Sequence, residues 1–140
     1  MLQLKFSSNP NGKLLGDIFG DIRLADYEKF QSGNIIEIKL KKDVIGKAQV
    51  IGYKDFAFTR LTDTLSHMNC GREAAYQAKL LKNYYQGLGD DSQLMHIVFK
   101  WVARYMEFQE ALIADWWQSK RDQYPHNLTS FHQHESTDFI

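Results

Sequence analysis

The chain has a single cysteine, Cys70, in 140 residues. It can therefore form no internal disulfide, and a reducing compartment is its expected home. It also has no net charge, because seventeen basic and seventeen acidic residues cancel. No global field draws it to nucleic acid or to an anionic membrane, so any phosphate contact has to come from a local patch. No apolar run approaches the roughly eighteen residues of a membrane span. Met1 to Phe6 alternates like a strand, without a charged segment followed by a long apolar one, so no signal peptide is expected. Repeats and low-complexity tracts are missing too. The expectation is a cytoplasmic protein that does not engage a membrane.

What is present suits one globular domain. An apolar fraction of 44%, with 14% aromatic, argues against disorder, and the length allows one real core. Leu2, Leu4 and Phe6 alternate with polar residues, which predicts a short strand. Asn9-Pro10-Asn11-Gly12 is a turn cluster, followed by a turn of helix at Lys13-Leu14-Leu15. A strand over Ile18 to Leu24 is compatible with the pattern, though glycines and charges interrupt it. Ile36, Ile38 and Leu40 define a strand from Asn34 to Leu40, and Lys41-Lys42-Asp43 turns the chain. Val44 to Lys54 returns as a long strand, with Gly46 and Gly52 as candidate bulges.

Phe56 to Leu61 reads as a further strand. Thr62 or Asp63 caps a short helix through Met68, and a second helix runs from Glu73 to Tyr85. Leu94 to Trp101 is a buried strand. A last helix is expected from Ala103 to Arg121, stopped by Pro125. The resulting division is a domain over residues 1–101, a helix within 102–124 packed on it, and a flexible tail over 125–140. Strands interleaved with helices make this an α+β fold.

Gly16-Asp17-Ile18-Phe19-Gly20-Asp21-Ile22-Arg23 resembles a worn form of the Gly-x-Lys-x-x-Glu-x-Arg signature of ASCH domains, which are PUA-like β-barrels. Gly16 and Arg23 match it; Ile18 and Asp21 do not. Gly33 to Ile38, Ile45 to Val50, Phe58 to Thr62, Tyr84 and Ile97 to Lys100 resemble further landmarks of the family in the same order. The resemblance implies a partly open β-barrel with flanking helices, to which this chain adds a carboxy-terminal helix. It also implies binding of RNA or a nucleotide in the barrel cleft, with Arg23 on the rim. One branch of the superfamily resembles amidohydrolases of N4-acetylcytidine, using a lysine, a threonine and a glutamate. Those positions fall here on Ile18, Asp21 and Asn69, and shifting the alignment to use Lys13 breaks the spacing to Arg23. Isoleucine shuttles no proton, and asparagine exchanges none near neutral pH, so that chemistry is disfavoured.

Other residues carry an alternative beside each functional reading. Lys39, Lys54 and Arg60, with Lys41, Lys42 and Lys47 nearby, could grip phosphate while Tyr53 or Phe58 stacks on a base. Equally, lysines fill the solvent faces of strands and discourage edge pairing. Arg23 could take a phosphate or hold a loop through Asp21. Asp21 and His67 are the candidates for proton transfer, and Asp63 reads better as a helix cap. His126, His132, His134 and Glu135 match no strong metal motif, so neither metal nor cofactor is expected. Trp116 and Trp117, about a hundred degrees apart on a helix, could cover the domain or join two copies as a homodimer.

The reading is an RNA- or nucleotide-binding module. The alternatives are an RNA-processing or modified-nucleoside hydrolase of the same fold, and a protein-interaction domain that uses the tryptophan helix.

Overall fold

The computed structural model describes residues 1–105, 112–114, 117, 118 and 121. In chain order the elements are β1 (Gln3–Phe6), a 3-10 turn (Pro10–Leu15), β2 (Ile18–Leu24), β3 (Ile35–Leu40), β4 (Asp43–Ala57), a second 3-10 turn (Phe58–Arg60), α1 (Asp63–Cys70), α2 (Ala74–Tyr84) and β5 (Gln93–Arg104). The strands form one sheet in the order β1-β3-β4-β5-β2, antiparallel except for the parallel β1–β3 pair. Residues 112–114, 117, 118 and 121 are helical. Expectations for residues 106–111, 115, 116, 119, 120 and 122–140, including Trp116, the tail and its histidines, lie outside the described residues.

The sheet curls into a half-barrel. Its two edge strands come back within reach of each other, since Phe6 of β1 meets Phe19 of β2 edge-on at 6.2 Å between ring centroids. Alternation along the strands drives this, turning Ile36, Ile38 and Leu40 of β3, Val50 of β4, and Met95, Ile97 and Phe99 of β5 inward. Phe99 sits at the centre, stacked on Phe19 at 5.1 Å and edge-on to Phe30 at 6.2 Å. Leu112 is buried in the same cluster.

The opposite face of the sheet forms a second core under the helices. Ile22, Phe58, Leu81 and Leu94 are buried there, with Phe56, Leu65 and Ala78 packed against them. One strand serves both cores because β4 is bulged. The β4–β5 register shifts between Lys47 and Ala48, where β5 carries the extra residue Val102, and again between Val50 and Gly52, where β4 carries Ile51; against β3 the extra β4 residue is Ile45, beside Gly46. Past the second shift, the alternation that pointed Val50 into the barrel points Phe56 at the helices.

Two boundaries differ from expectation, and one alternative is decided. The strand expected over Phe56 to Leu61 does not exist as a separate element: β4 continues to Ala57, and Phe58–Arg60 form a 3-10 turn. The aromatic alternation there serves two different elements. At the other end, β5 runs through Arg104, so Ala103, expected to open the last helix, lies in a strand paired with Lys47. The barrel therefore extends past residue 101. Thr62, not Asp63, caps α1, its hydroxyl accepting from the Leu65 amide at 3.2 Å. The Asp63 carboxylate reaches the start of α2 instead, accepting from the Ala74 amide at 2.8 Å.

Candidate functional site

The seam between the two edge strands is where charge collects. Along β2, Phe19, Asp21 and Arg23 share a face, while Ile18, Gly20 and Ile22 share the other. Phe19 fills the core, which leaves Asp21 just beyond the hydrophobic floor and Arg23 farther out along the seam. The 3-10 turn after β1 lies against this opening and sends Lys13 into it. Lys13 Nζ donates to Asp21 Oδ1 at 2.8 Å and to Asn69 Oδ1 of α1 at 2.7 Å. The Arg23 Nε–H donates to Asp21 Oδ2, and Arg23 Nη2 donates to the Lys5 carbonyl of β1 at 2.8 Å. One guanidinium thus ties the two edges of the half-barrel together. Both cations also lie over the Phe6 ring, Lys13 at 5.4 Å and Arg23 at 5.0 Å from its centroid.

These groups are scarcely solvated. The side chains of Lys13 and Asp21 are 8% exposed, and that of Arg23 is 18% exposed. Burial alone would raise the Asp21 carboxyl, but attraction and hydrogen bonds from Lys13 and Arg23 outweigh it and hold the group below the ordinary carboxylate value. For Arg23, burial opposes the charge, and Asp21, helped by Tyr85 and Tyr84, more than restores it. Lys29 is held below the ordinary lysine value, first by burial and then by repulsion from Arg23. That repulsion marks Lys29 as another cation near the rim. Two cations share one carboxylate, so the seam carries surplus positive charge.

His96 of β5 lies on the helix-side face, opposite Ile22 and diagonal to Gly20. A Cβ on Gly20 would come within 2.5 Å of His96 Nε2, so the missing side chain makes room for the imidazole. Burial chiefly, and then Lys13, push His96 below the ordinary histidine value, with Asp21 opposing. A depressed value means that the fold prefers neutral imidazole. His96 therefore supports the fold fully above about pH 6.5 and withdraws support as the pH falls below that; Asp21 does the same below about 3.8. Denaturant melts at pH 7.5, 5.5 and 3 should show stability falling at each step. His96→Gln should flatten the first interval.

The residues proposed from sequence do not form one patch. Arg23 and Asp21 are brought together, and Asn69 joins them. Ile18 is 57% exposed and takes no part. The space it was expected to mark holds Lys13, which sequence spacing had set aside. Phe58 is buried at 7% exposure in the second core, so it is a packing residue and cannot stack on a base. Beyond the β4 bulge, Tyr53 and Lys54 point to opposite faces, and Tyr53 meets Tyr27 at 5.8 Å. Lys39 stands on the outer side of β3 beside Lys5, and Arg60 is exposed at the far end of β4.

His67 is exposed on α1 and makes no contact with the Asp21 cluster. Asp21, committed to two cations, is not placed as a base either. Trp117 is 48% exposed. Among the described residues, no group of three or more His, Cys, Asp or Glu is placed to hold a metal, and no helix is long and apolar enough to cross a membrane.

A mixed five-strand half-barrel with helices on one face, closed at a charged seam, defines an ASCH-like, PUA-like α+β fold. Similar solved structures agree. A protein of the DUF984 family from Enterococcus faecalis superposes with a TM-score of 0.54 at 14% identity, over 79% of this chain and 81% of that one. An ASCH domain from Lactobacillus crispatus superposes with a TM-score of 0.50 at 14% identity, over 66% and 69%. No family model matches the sequence, and no curated protein matches it.

Proposed function

We propose that the protein is an RNA- or nucleotide-binding module whose ligand lies along the β1–β2 seam. The observation that carries this reading is Arg23. Its Nε–H and one Nη2 donor are anchored by Asp21 and the Lys5 carbonyl, while Nη1 has no partner among the described residues. An arginine fixed in this way loses little side-chain freedom when it takes a phosphate or stacks on a base. Lys5 and Lys29 supply further charge, and the exposed Tyr84 offers a ring nearby. A balanced overall charge suits a short or single-stranded ligand better than a long duplex.

Arg23→Lys keeps the charge and removes the fork. Titrating labelled single-stranded RNA at low salt should show affinity at least tenfold weaker for Arg23→Lys than for the wild type. Equal affinity would remove Arg23 from the interface. The affinity of the wild type should fall steadily as salt rises.

The hydrolase reading keeps one observation in its favour, since a lysine does enter the Asp21–Asn69 cluster. Lys13, however, donates to both partners, one of them a carboxylate, and a general base must instead accept a proton. Incubation with N4-acetylcytidine is expected to leave it intact. Product formed by the wild type and lost in Lys13→Met would put hydrolysis first.

A further inference from the structure

The floor of the seam is richer in uncommitted hydrogen-bond donors than in acceptors. Lys13 Nζ is a donor by chemistry, so the atom of Asn69 that meets it at 2.7 Å has to be Oδ1. The Asn69 amide is thereby fixed in orientation, and its Nδ2 has no partner among the described residues. Both Asp21 oxygens already face a cation, one Lys13 and one Arg23, so the carboxylate's charge is neutralised from both sides. What remains for a ligand is the third Lys13 proton, the Asn69 NH2 and the unpaired N–H groups of Arg23. All of them donate, and they lie around a surplus of positive charge.

We infer that this floor takes a phosphate group of the ligand and does not read a base. The edge of every base that pairs with another carries both donors and acceptors. Against a cationic floor so rich in donors, the N–H groups of that edge are poorly matched; only the N7–O6 edge of guanine presents acceptors alone, and it lacks a phosphate's charge. A phosphate presents only acceptors and carries the charge that the two cations lack. Recognition here is consequently tolerant of base identity. This inference rests on the proposed binding function and adds to it what the floor recognises.

The test is calorimetric titration of the whole chain with the four nucleoside 5′-monophosphates, the four unphosphorylated nucleosides and inorganic phosphate. The monophosphates should bind within about threefold of one another. Nucleosides should bind at least tenfold more weakly, and inorganic phosphate should compete with the monophosphates. Asn69→Asp provides the second arm. An aspartate still accepts from Lys13, so the fold is retained, but the donor becomes an anion facing the ligand. Monophosphate affinity should drop at least tenfold in that variant, with a thermal midpoint no lower than the wild type's.

Nucleosides binding as well as monophosphates, one base preferred by more than tenfold, or unaltered affinity in Asn69→Asp would each overturn the inference. Single-stranded RNA run beside these samples separates the two levels. Retained, Arg23-dependent RNA binding with a failed phosphate arm defeats only the floor; no RNA binding at all defeats the function.

Discussion

Asp21→Ala should destabilise the protein by roughly 3–5 kcal/mol, the range for breaking a buried ion pair from one side. For a domain of this size that corresponds to a fall in melting temperature of roughly 10 °C. The reason is what the substitution leaves behind. Lys13 loses an acceptor at 2.8 Å, Arg23 loses its Nε partner, and both remain almost out of reach of water. Their mutual repulsion is then uncompensated, and the seam between β1 and β2 has to loosen to hydrate them. Lys13→Met in the same background should recover part of the loss, because it removes one stranded cation. A coupling of about 0.5–3 kcal/mol between the two sites is the size expected of contacting groups. Differential scanning calorimetry of the single and double variants measures it. A loss of about 1 kcal/mol or less, with no coupling, would mean that Asp21 does not organise the seam.

Phe99→Ala should be about as costly, again roughly 3–5 kcal/mol. Phe99 is fully buried, and its ring joins Phe19 of β2 to Phe30 of the β2–β3 connection. Truncation opens a cavity where three segments meet, and the sheet, held by ladders on both sides of β5, cannot collapse to fill it. Chemical denaturation should show a lower midpoint with a similar slope. Phe99→Leu should retain much of the stability, since most of the volume stays. An alanine variant as stable as the wild type would refute the assignment of this ring to the centre of the core.

The fold was legible wherever periodicity was simple. Ile36, Ile38 and Leu40 announced β3, the stripe of Tyr76, Leu80 and Tyr84 with Leu81 beside it announced α2, and the run from Leu94 announced β5, although the face that α2 buries is that of Gln77 and Leu81. Gly46 and Gly52 stand beside the extra β4 residues Ile45 and Ile51, whereas the third irregularity, at Val102 of β5, carries no glycine. The consequence of those bulges was not readable, because a single shifted residue reverses every later side chain. That is why Phe56 packs under the helices and not in the barrel.

The site was legible only in part. Asp21 and Arg23 share a face by strand alternation, which the sequence shows. Ile18 falls on the other face by the same rule, so a residue three positions before Asp21 is poorly placed to touch it. Lys13 reaches Asp21 from a 3-10 turn across a chain reversal, a geometry that spacing within β2 cannot express. Asn69 arrives from a helix 48 positions farther along than Asp21, and only tertiary packing brings it there. His96 did leave a signal: a histidine inside an apolar strand run, needing a small neighbour, which Gly20 provides.

The central claim is that the seam is the binding surface, and chemical-shift mapping tests it most directly. Isotope-labelled protein would be titrated with a short single-stranded RNA at low salt while the backbone and side-chain amides are followed. Binding at the seam predicts that the largest shifts fall on Lys5, Lys13, Arg23 and the Asn69 side-chain amide, and that Arg23→Lys suppresses them. Shifts confined to the outer lysines of β3 and β4, with the Asn69 amide unmoved, would contradict the claim and place any RNA on the ordinary charged exterior of the sheet.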